Sequence, residues 1–211
     1  MNRAGVALFL TLTCTSAFAG STVVARKAAL ATASPYSTSV GLSVLRNGGN
    51  AIDAAVAVSF ALAVVHPQAG NLGGGGFLVY YDARTKAVWT LDFRETAPLA
   101  SKIDMYILGD GSVGAGARTG ARAAGVPGTV AGLATAHERF GSRPWKELLG
   151  PAISLAREGI RVDDELHREL NEENEERKIS QFAATAATFF PEEATTISDF
   201  ASSNGHPLRN T

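Results

Sequence analysis

The sequence predicts a single α+β domain, on three observations. Residues 51–65 are built from Ala, Val, Leu, Ile and Phe on nearly every helical face, which makes a buried helix. A glycine-dense stretch, 70–76, then runs directly into two short branched and aromatic segments, 77–81 and 88–91, around a polar turn, the pattern of a β-hairpin. Helical patterns return at 127–140, 145–158 and 163–178, with no internal repeat and no linker dividing the chain.

Bulk properties narrow the class. The 211 residues suffice for one domain with a real core. A hydrophobic content of 45% with 18% charged residues belongs to a folded chain, not a disordered one. A formal net charge of -1 gives no electrostatic case for nucleic acid or for an anionic membrane as partner.

The first nineteen residues read as an export signal. Arg3 supplies the positive start, 4–12 are almost wholly apolar, and Ala17-Phe18-Ala19 is an A-x-A cleavage site before Gly20. The apolar run is too short to cross a bilayer. Thr13 before Cys14 disfavours a lipoprotein reading, because a small residue such as Gly or Ala is expected there. Cleavage after Ala19 removes the only cysteine, so the mature chain, 20–211, has no disulfide and suits a periplasmic or secreted setting.

Along the mature chain, Val23 to Ala25 and 28–33 have strand-like composition, and 39–46 a helical one. Asn47-Gly48-Gly49 stops that helix with a left-handed turn. Asn50 caps the buried helix, Asp53 lies in its first turn, and His66-Pro67 ends it. Pro127 is placed near the first position of the next helix, where its missing N–H costs nothing. A break is expected at Gly150-Pro151, and Gly159 closes the helix that contains them. The charged segment 163–178 reads as a helix solvated on most faces, and 109–125 as a surface loop. Residues 204–211 show no finishing element and read as a cut.

Most candidate chemistry gives way to plainer explanations. Gly109-Asp110-Gly111-Ser112-Val113-Gly114 matches G-x-G-x-x-G, but no helix follows directly and no acid stands about twenty residues on. The glycines 73–76 lack the Lys-Ser/Thr of a phosphate loop and read as tight packing where the buried helix hands over to the hairpin. His66, His137, His167 and His206 lack metal-ligand spacing, and the cluster Asp163, Asp164, Glu165 and Glu169 suits a solvated face better than calcium. No metal and no cofactor is therefore expected. No G-x-S-x-G elbow exists to anchor a serine-hydrolase triad. Arg94 differs: at a strand end beside a glycine-dense turn, an arginine can hold a carboxylate through two parallel N–H···O bonds. From spacing alone, a structural ion pair with Asp92 or Glu95 is the simpler account.

Four blocks carry a resemblance. Gly48-Gly49-Asn50-Ala51-Ile52-Asp53-Ala54-Ala55-Val56-Ala57 resembles the GGNAxDAAVA signature of γ-glutamyltransferases, also called glutathione hydrolases. His66 to Phe77 looks like their next block, Asp92-Phe93-Arg94-Glu95-Thr96-Ala97-Pro98 their D-x-R-E-x-A-P block, and Val126-Pro127-Gly128-Thr129-Val130-Ala131-Gly132 a fourth. The blocks keep the family's order and similar spacing, and the likeness covers nearly all of the mature chain.

The resemblance implies an N-terminal-nucleophile hydrolase, a four-layer α-β-β-α sandwich made as a self-cleaving precursor, present here as an amino-terminal portion of the large subunit. It implies a γ-glutamyl-enzyme formed on the amino-terminal threonine of the small subunit, with that residue's own α-amine as base. Water or an amino acid then resolves the intermediate. Glutathione and other γ-glutamyl compounds are the implied substrates, and the remainder of the large subunit and the small subunit the implied partners. The family's arginine in the third block holds the glutamyl α-carboxylate, a role that maps onto Arg94, with Glu95 orienting or balancing it. The nucleophile belongs to a T-T-H-type motif beyond position 211. Thr195-Thr196 are followed by Ile197, so they do not take that role, and no catalytic residue is assigned within the chain. Sister amidases acting on β-lactam side chains or γ-linked polymers, and an inactive secreted binding fragment, are the alternatives.

Overall fold

The computed structural model describes residues 24–190, so the expected leader, Val23, Thr195-Thr196 and the 204–211 tail lie outside the described residues. Helix α1, Pro35–Arg46, begins four residues before the expected start. Pro35 occupies its first turn and the Ser34 hydroxyl accepts the Tyr36 N–H, a complete N-terminal cap ahead of the apolar signal. The strand expected at 28–33 does not form, and Val24 and Ala25 are not in a strand either. Leu30 instead inserts beside Gly41, where α1 crosses the buried helix closely enough that a β-carbon at 41 would also meet Val58 at 2.7 Å.

The end of α1 is a Schellman motif. Gly49 N–H donates to Val44 O at 2.9 Å, Gly48 N–H donates to Leu45 O at 3.2 Å, and Gly48 takes φ +86°. Helix α2, Ala51–Val65, starts at once. Asn50 Oδ1 accepts from Ile52 and Asp53 N–H, both at 2.9 Å, and Asp53 accepts the Asn50 N–H in return at 2.8 Å.

Strands β1, Phe77–Asp82, and β2, Ala87–Asp92, pair antiparallel, Tyr80 opposite Trp89, each slightly longer than the sequence predicts. Asp82 holds the turn by accepting from Arg84 N–H and Thr85 O–H, each at 2.9 Å. The period of two sends Leu78, Tyr80, Trp89 and Leu91 inward. Phe77, Val79, Tyr81 and Val88 face outward and are 57–75% exposed, so one sheet face is apolar and open.

Four further helices follow: α3, Thr129–Phe140; α4, Trp145–Glu158; α5, Asp164–Arg177; and α6, Ala183–Phe189. The main core joins Ile52, Val56, Ala57 and Phe60 of α2 to Leu133 and Ala136 of α3 and to Leu148 and Ala152 of α4, with the inner hairpin face closing one side. Phe140 stacks against Tyr80 and Trp89 with ring centroids at 4.8 and 5.8 Å, and Arg139 lies 3.8 Å over the Trp89 ring. No break occurs in α4 despite Pro151, because Leu148 and Ala152 on either side of it are buried in the same core and hold one helical course. Along α5 only Leu166 and Leu170 are buried, and with Val65 and Ile160 they form a second cluster against which Phe189 packs. Helix α6 has no side-chain N-terminal cap and no buried residue of its own. Among the described residues, no helix is long and apolar enough to cross a membrane.

Asp53 is the electrostatic knot of this arrangement. It is 0% exposed, and besides Asn50 it accepts from Ser142 N–H at 2.9 Å, Ser142 O–H at 2.5 Å and Arg143 N–H at 3.2 Å. Asn50 Nδ2 donates to Phe140 O at 2.7 Å, so the start of α2 is tied to the α3–α4 junction from both residues. Burial pushes the Asp53 carboxyl upward, but the Ser142 hydroxyl and the three backbone N–H groups outweigh it and hold it below the ordinary range. A carboxylate with a depressed folded pKa contributes stability that is complete above its unfolded pKa and is lost as pH falls through the folded one. Asp53→Asn is therefore expected to cost about 2–4 kcal/mol in urea unfolding at neutral pH, with the gap to wild type closing below about pH 4. Gly48→Ala, whose β-carbon meets nothing within 4 Å, is expected to cost only the left-handed backbone penalty of about 1 kcal/mol in the same measurement.

Candidate functional site

Arg94 stands just beyond β2, and its carrier segment is held close by glycines. A β-carbon at Gly75 would lie 2.5 Å from Phe93 O, 2.7 Å from Glu95 N and 2.8 Å from Arg94 Cα. One at Gly128 would overlap Phe93 O outright and come within 3.3 Å of Arg94 O. One at Gly132, a helical turn further along α3, would overlap the Phe93 side chain. Only glycine permits backbone to approach backbone this closely.

Hydrogen bonds fix the same segment. Phe93 N–H donates to Gly76 O at 3.0 Å, which continues the hairpin ladder by one pair. Thr96 and Val126 exchange both backbone bonds, at 3.2 and 2.8 Å, on the far side of Arg94. Gly128 and Thr129 N–H both donate to Gly74 O, at 2.9 and 3.0 Å, so the first donors of α3 are satisfied by the glycine run. This moves the start of α3: Thr129 is the first helical residue, Gly128 the cap, and Pro127 lies outside the helix it was expected to open.

The Arg94 side chain itself is exposed, and among the described residues no ion pair includes it. The ion pair with Asp92 does not form, because Asp92 Oδ1 accepts the backbone N–H of Arg94 at 3.0 Å. Glu95 turns back over Gly74, one carboxylate oxygen 3.3 Å from where a β-carbon there would sit. Beside it opens a cleft of about 380 Å³ lined by Glu95, Pro98, Lys102, Tyr106 and Gly125. A larger concavity, about 1040 Å³, lies elsewhere, between residues 113–123 and the end of α5. A guanidinium presented to solvent on an immobilised backbone is suited to hold an incoming carboxylate bidentately.

Within the glycine run, Gly75 and Gly76 pack tightly against the strand exit at 93–95 and Gly74 O receives the donors at the start of α3, whereas a β-carbon at Gly73 would meet only Asn71 at 3.6 Å. The end of α2 is met by Gly70, which lies against Leu62. The seat formed by Phe93, Gly128 and Gly132 was not read from the sequence. Two glycines four apart on one helix face were its signal. Among the described residues, no group of three His, Cys, Asp or Glu could hold a metal.

Comparison with known proteins shows the family. A family model described as gamma-glutamyltranspeptidase matches residues 37–201. The chain is 50% identical over 138 residues to the glutathione hydrolase proenzyme of Pseudomonas aeruginosa, covering 64% of this chain and 24% of that protein. It is 39% identical over 188 residues to the Bacillus subtilis glutathione hydrolase proenzyme, covering 88% of this chain and 30% of that one. It thus spans roughly a quarter to a third of the length of these curated relatives. The crystal structure of Helicobacter pylori gamma-glutamyltranspeptidase superposes with a TM-score of 0.77 at 39% identity, over 82% of this chain and 49% of that one. The α+β architecture is accordingly a portion of the N-terminal-nucleophile hydrolase fold. From the matched span, the relatives and the shared fold, the chain belongs to the gamma-glutamyltranspeptidase family.

Proposed function

We propose that this chain forms one wall of a γ-glutamyl-transferring and glutathione-hydrolysing site, and that Arg94 binds the α-carboxylate of the γ-glutamyl donor. The observation that carries the reading is Arg94 itself: exposed, outside every ion pair among the described residues, and borne on a backbone held against Gly75 and Gly128. Other described arginines, such as Arg46 and Arg157, also lie outside the ion pairs, so it is the immobilised backbone that distinguishes Arg94.

In this proposal the nucleophile is a threonine outside these 211 residues, since Thr195-Thr196 run into Ile197 and not into histidine. Its hydroxyl oxygen attacks the γ-carbonyl carbon while its α-amine takes the hydroxyl proton. The C–N bond of the amide then breaks, and the leaving amine takes up the proton. Water, or the amine of an acceptor, attacks the resulting ester and frees the threonine. Arg94 touches neither the nucleophile nor the scissile bond. Its part is to fix the far end of the glutamyl group, so that the γ-carbonyl is presented in one orientation. Export to the periplasm or the exterior through residues 1–19 belongs to the same proposal.

Arg94→Ala in the full-length enzyme is expected to raise KM for a γ-glutamyl anilide by about 10- to 100-fold, as the loss of a charge-assisted bidentate contact implies. Arg94→Lys should fall between, because it keeps the charge and loses the fork. Wild-type KM in both variants would contradict the assignment. The 211-residue chain expressed alone is expected to release no aniline from the same substrate; Arg94-dependent release would place a nucleophile within it. Competition by glutathione separates the proposed donor from β-lactam or polymer amides.

A further inference from the structure

We infer that Gly75, Gly128 and Gly132, together with Phe93, are the positioning set for Arg94, so that α3 aims the substrate-binding guanidinium without touching substrate. The inference rests on the reading of Arg94 as the carboxylate-binding group and adds the elements that set its aim.

Among the described residues, the Arg94 guanidinium has no ion-pair partner, so what the fold fixes before substrate arrives is the origin of the side chain, the direction in which its Cα–Cβ bond leaves the backbone. That direction is fixed tightly. β-Carbons at Gly75 and at Gly128 would both meet the Phe93 carbonyl oxygen, the first at 2.5 Å and the second in outright overlap, and Arg94 Cα stands 2.8 Å from where a Gly75 β-carbon would be. The Phe93 side chain occupies the space that a side chain at Gly132 would need, and its ring covers Gly76, whose β-carbon would come within 3.0 Å. The ladder pair Gly76–Phe93 on one side and the Thr96–Val126 pair on the other prevent the segment from sliding along its own axis.

A methyl group at Gly128 must therefore push the Phe93–Arg94 peptide away from α3. The atoms it would meet, Phe93 O and C and Arg94 O, are backbone, so the displacement cannot be absorbed by turning a flexible side chain. A guanidinium that binds a carboxylate through two parallel bonds tolerates little misplacement. The effect should fall on substrate capture, because the group displaced is the one proposed to bind the α-carboxylate and not the nucleophile.

A double-mutant cycle in the full-length enzyme tests this. Gly128→Ala is expected to raise KM for a γ-glutamyl anilide by about tenfold, with kcat held within about threefold. In the Arg94→Ala background the same substitution should add less than about twofold, since the group it misplaces is already gone. An unchanged KM in Gly128→Ala, or an equal loss in both backgrounds, would overturn the inference and leave a purely structural glycine. A wild-type KM in Arg94→Ala alone is a separate result, which removes the carboxylate reading and this inference with it. If Gly128→Ala fails to accumulate as folded protein, Phe93→Leu, which empties part of the same seat without adding bulk, is carried through the same cycle and decides by the same criteria.

Discussion

Where the returning strand leaves the hairpin, the carbonyl of Phe93 lies against the α-carbon of Gly128, in space that any side chain would fill. This contact joins three parts of the chain distant in sequence: the glycine run before β1, the exit of β2 and the first turn of α3. Backbone contact of this kind gains little energy by itself, since it buries few apolar atoms. Its value is geometric. It brings Gly74 O within reach of two amide donors of α3, and it fixes the direction in which Arg94 leaves the chain.

Around that contact the molecule is held by two unlike forces. The apolar core of α2, α3, α4 and the inner hairpin face supplies the non-directional part, and it tolerates Pro151 within α4 because both flanks of the proline are buried. Asp53 supplies the directional part. A charged group at 0% exposure is costly unless its acceptor sites are filled, and four donors from Asn50, Ser142 and Arg143 fill them. The start of α2 is thereby locked to the junction that follows α3, the helix on which the Arg94 segment rests.

Much of this was legible from residues alone where local chemistry decided the outcome. The Asn47-Gly48-Gly49 stop, the Asn50 cap, the all-round apolar helix and the hairpin of branched and aromatic arms around a polar turn need only neighbours in sequence, and each formed. What was misread depended on partners far along the chain. The stretch 28–33 has strand composition but no strand to pair with, so Leu30 became a plug beside Gly41. Pro127 suits the first position of a helix, yet the bonds from Gly128 and Thr129 to Gly74 O moved the cap one residue past it. Ser142 as the partner of Asp53, 89 residues away, has no local signature. Arg94 could be singled out by type and setting, but its freedom from Asp92 and Glu95 became visible only in three dimensions.

The account turns on where the Arg94 guanidinium goes when a γ-glutamyl group is bound. A crystal structure of the full-length enzyme with glutamate in the site measures that directly. The account predicts two guanidinium N–H groups within about 3 Å of the two α-carboxylate oxygens, with Phe93 O still against Gly128. A guanidinium folded back onto a carboxylate of its own chain, with the ligand held elsewhere, would contradict it.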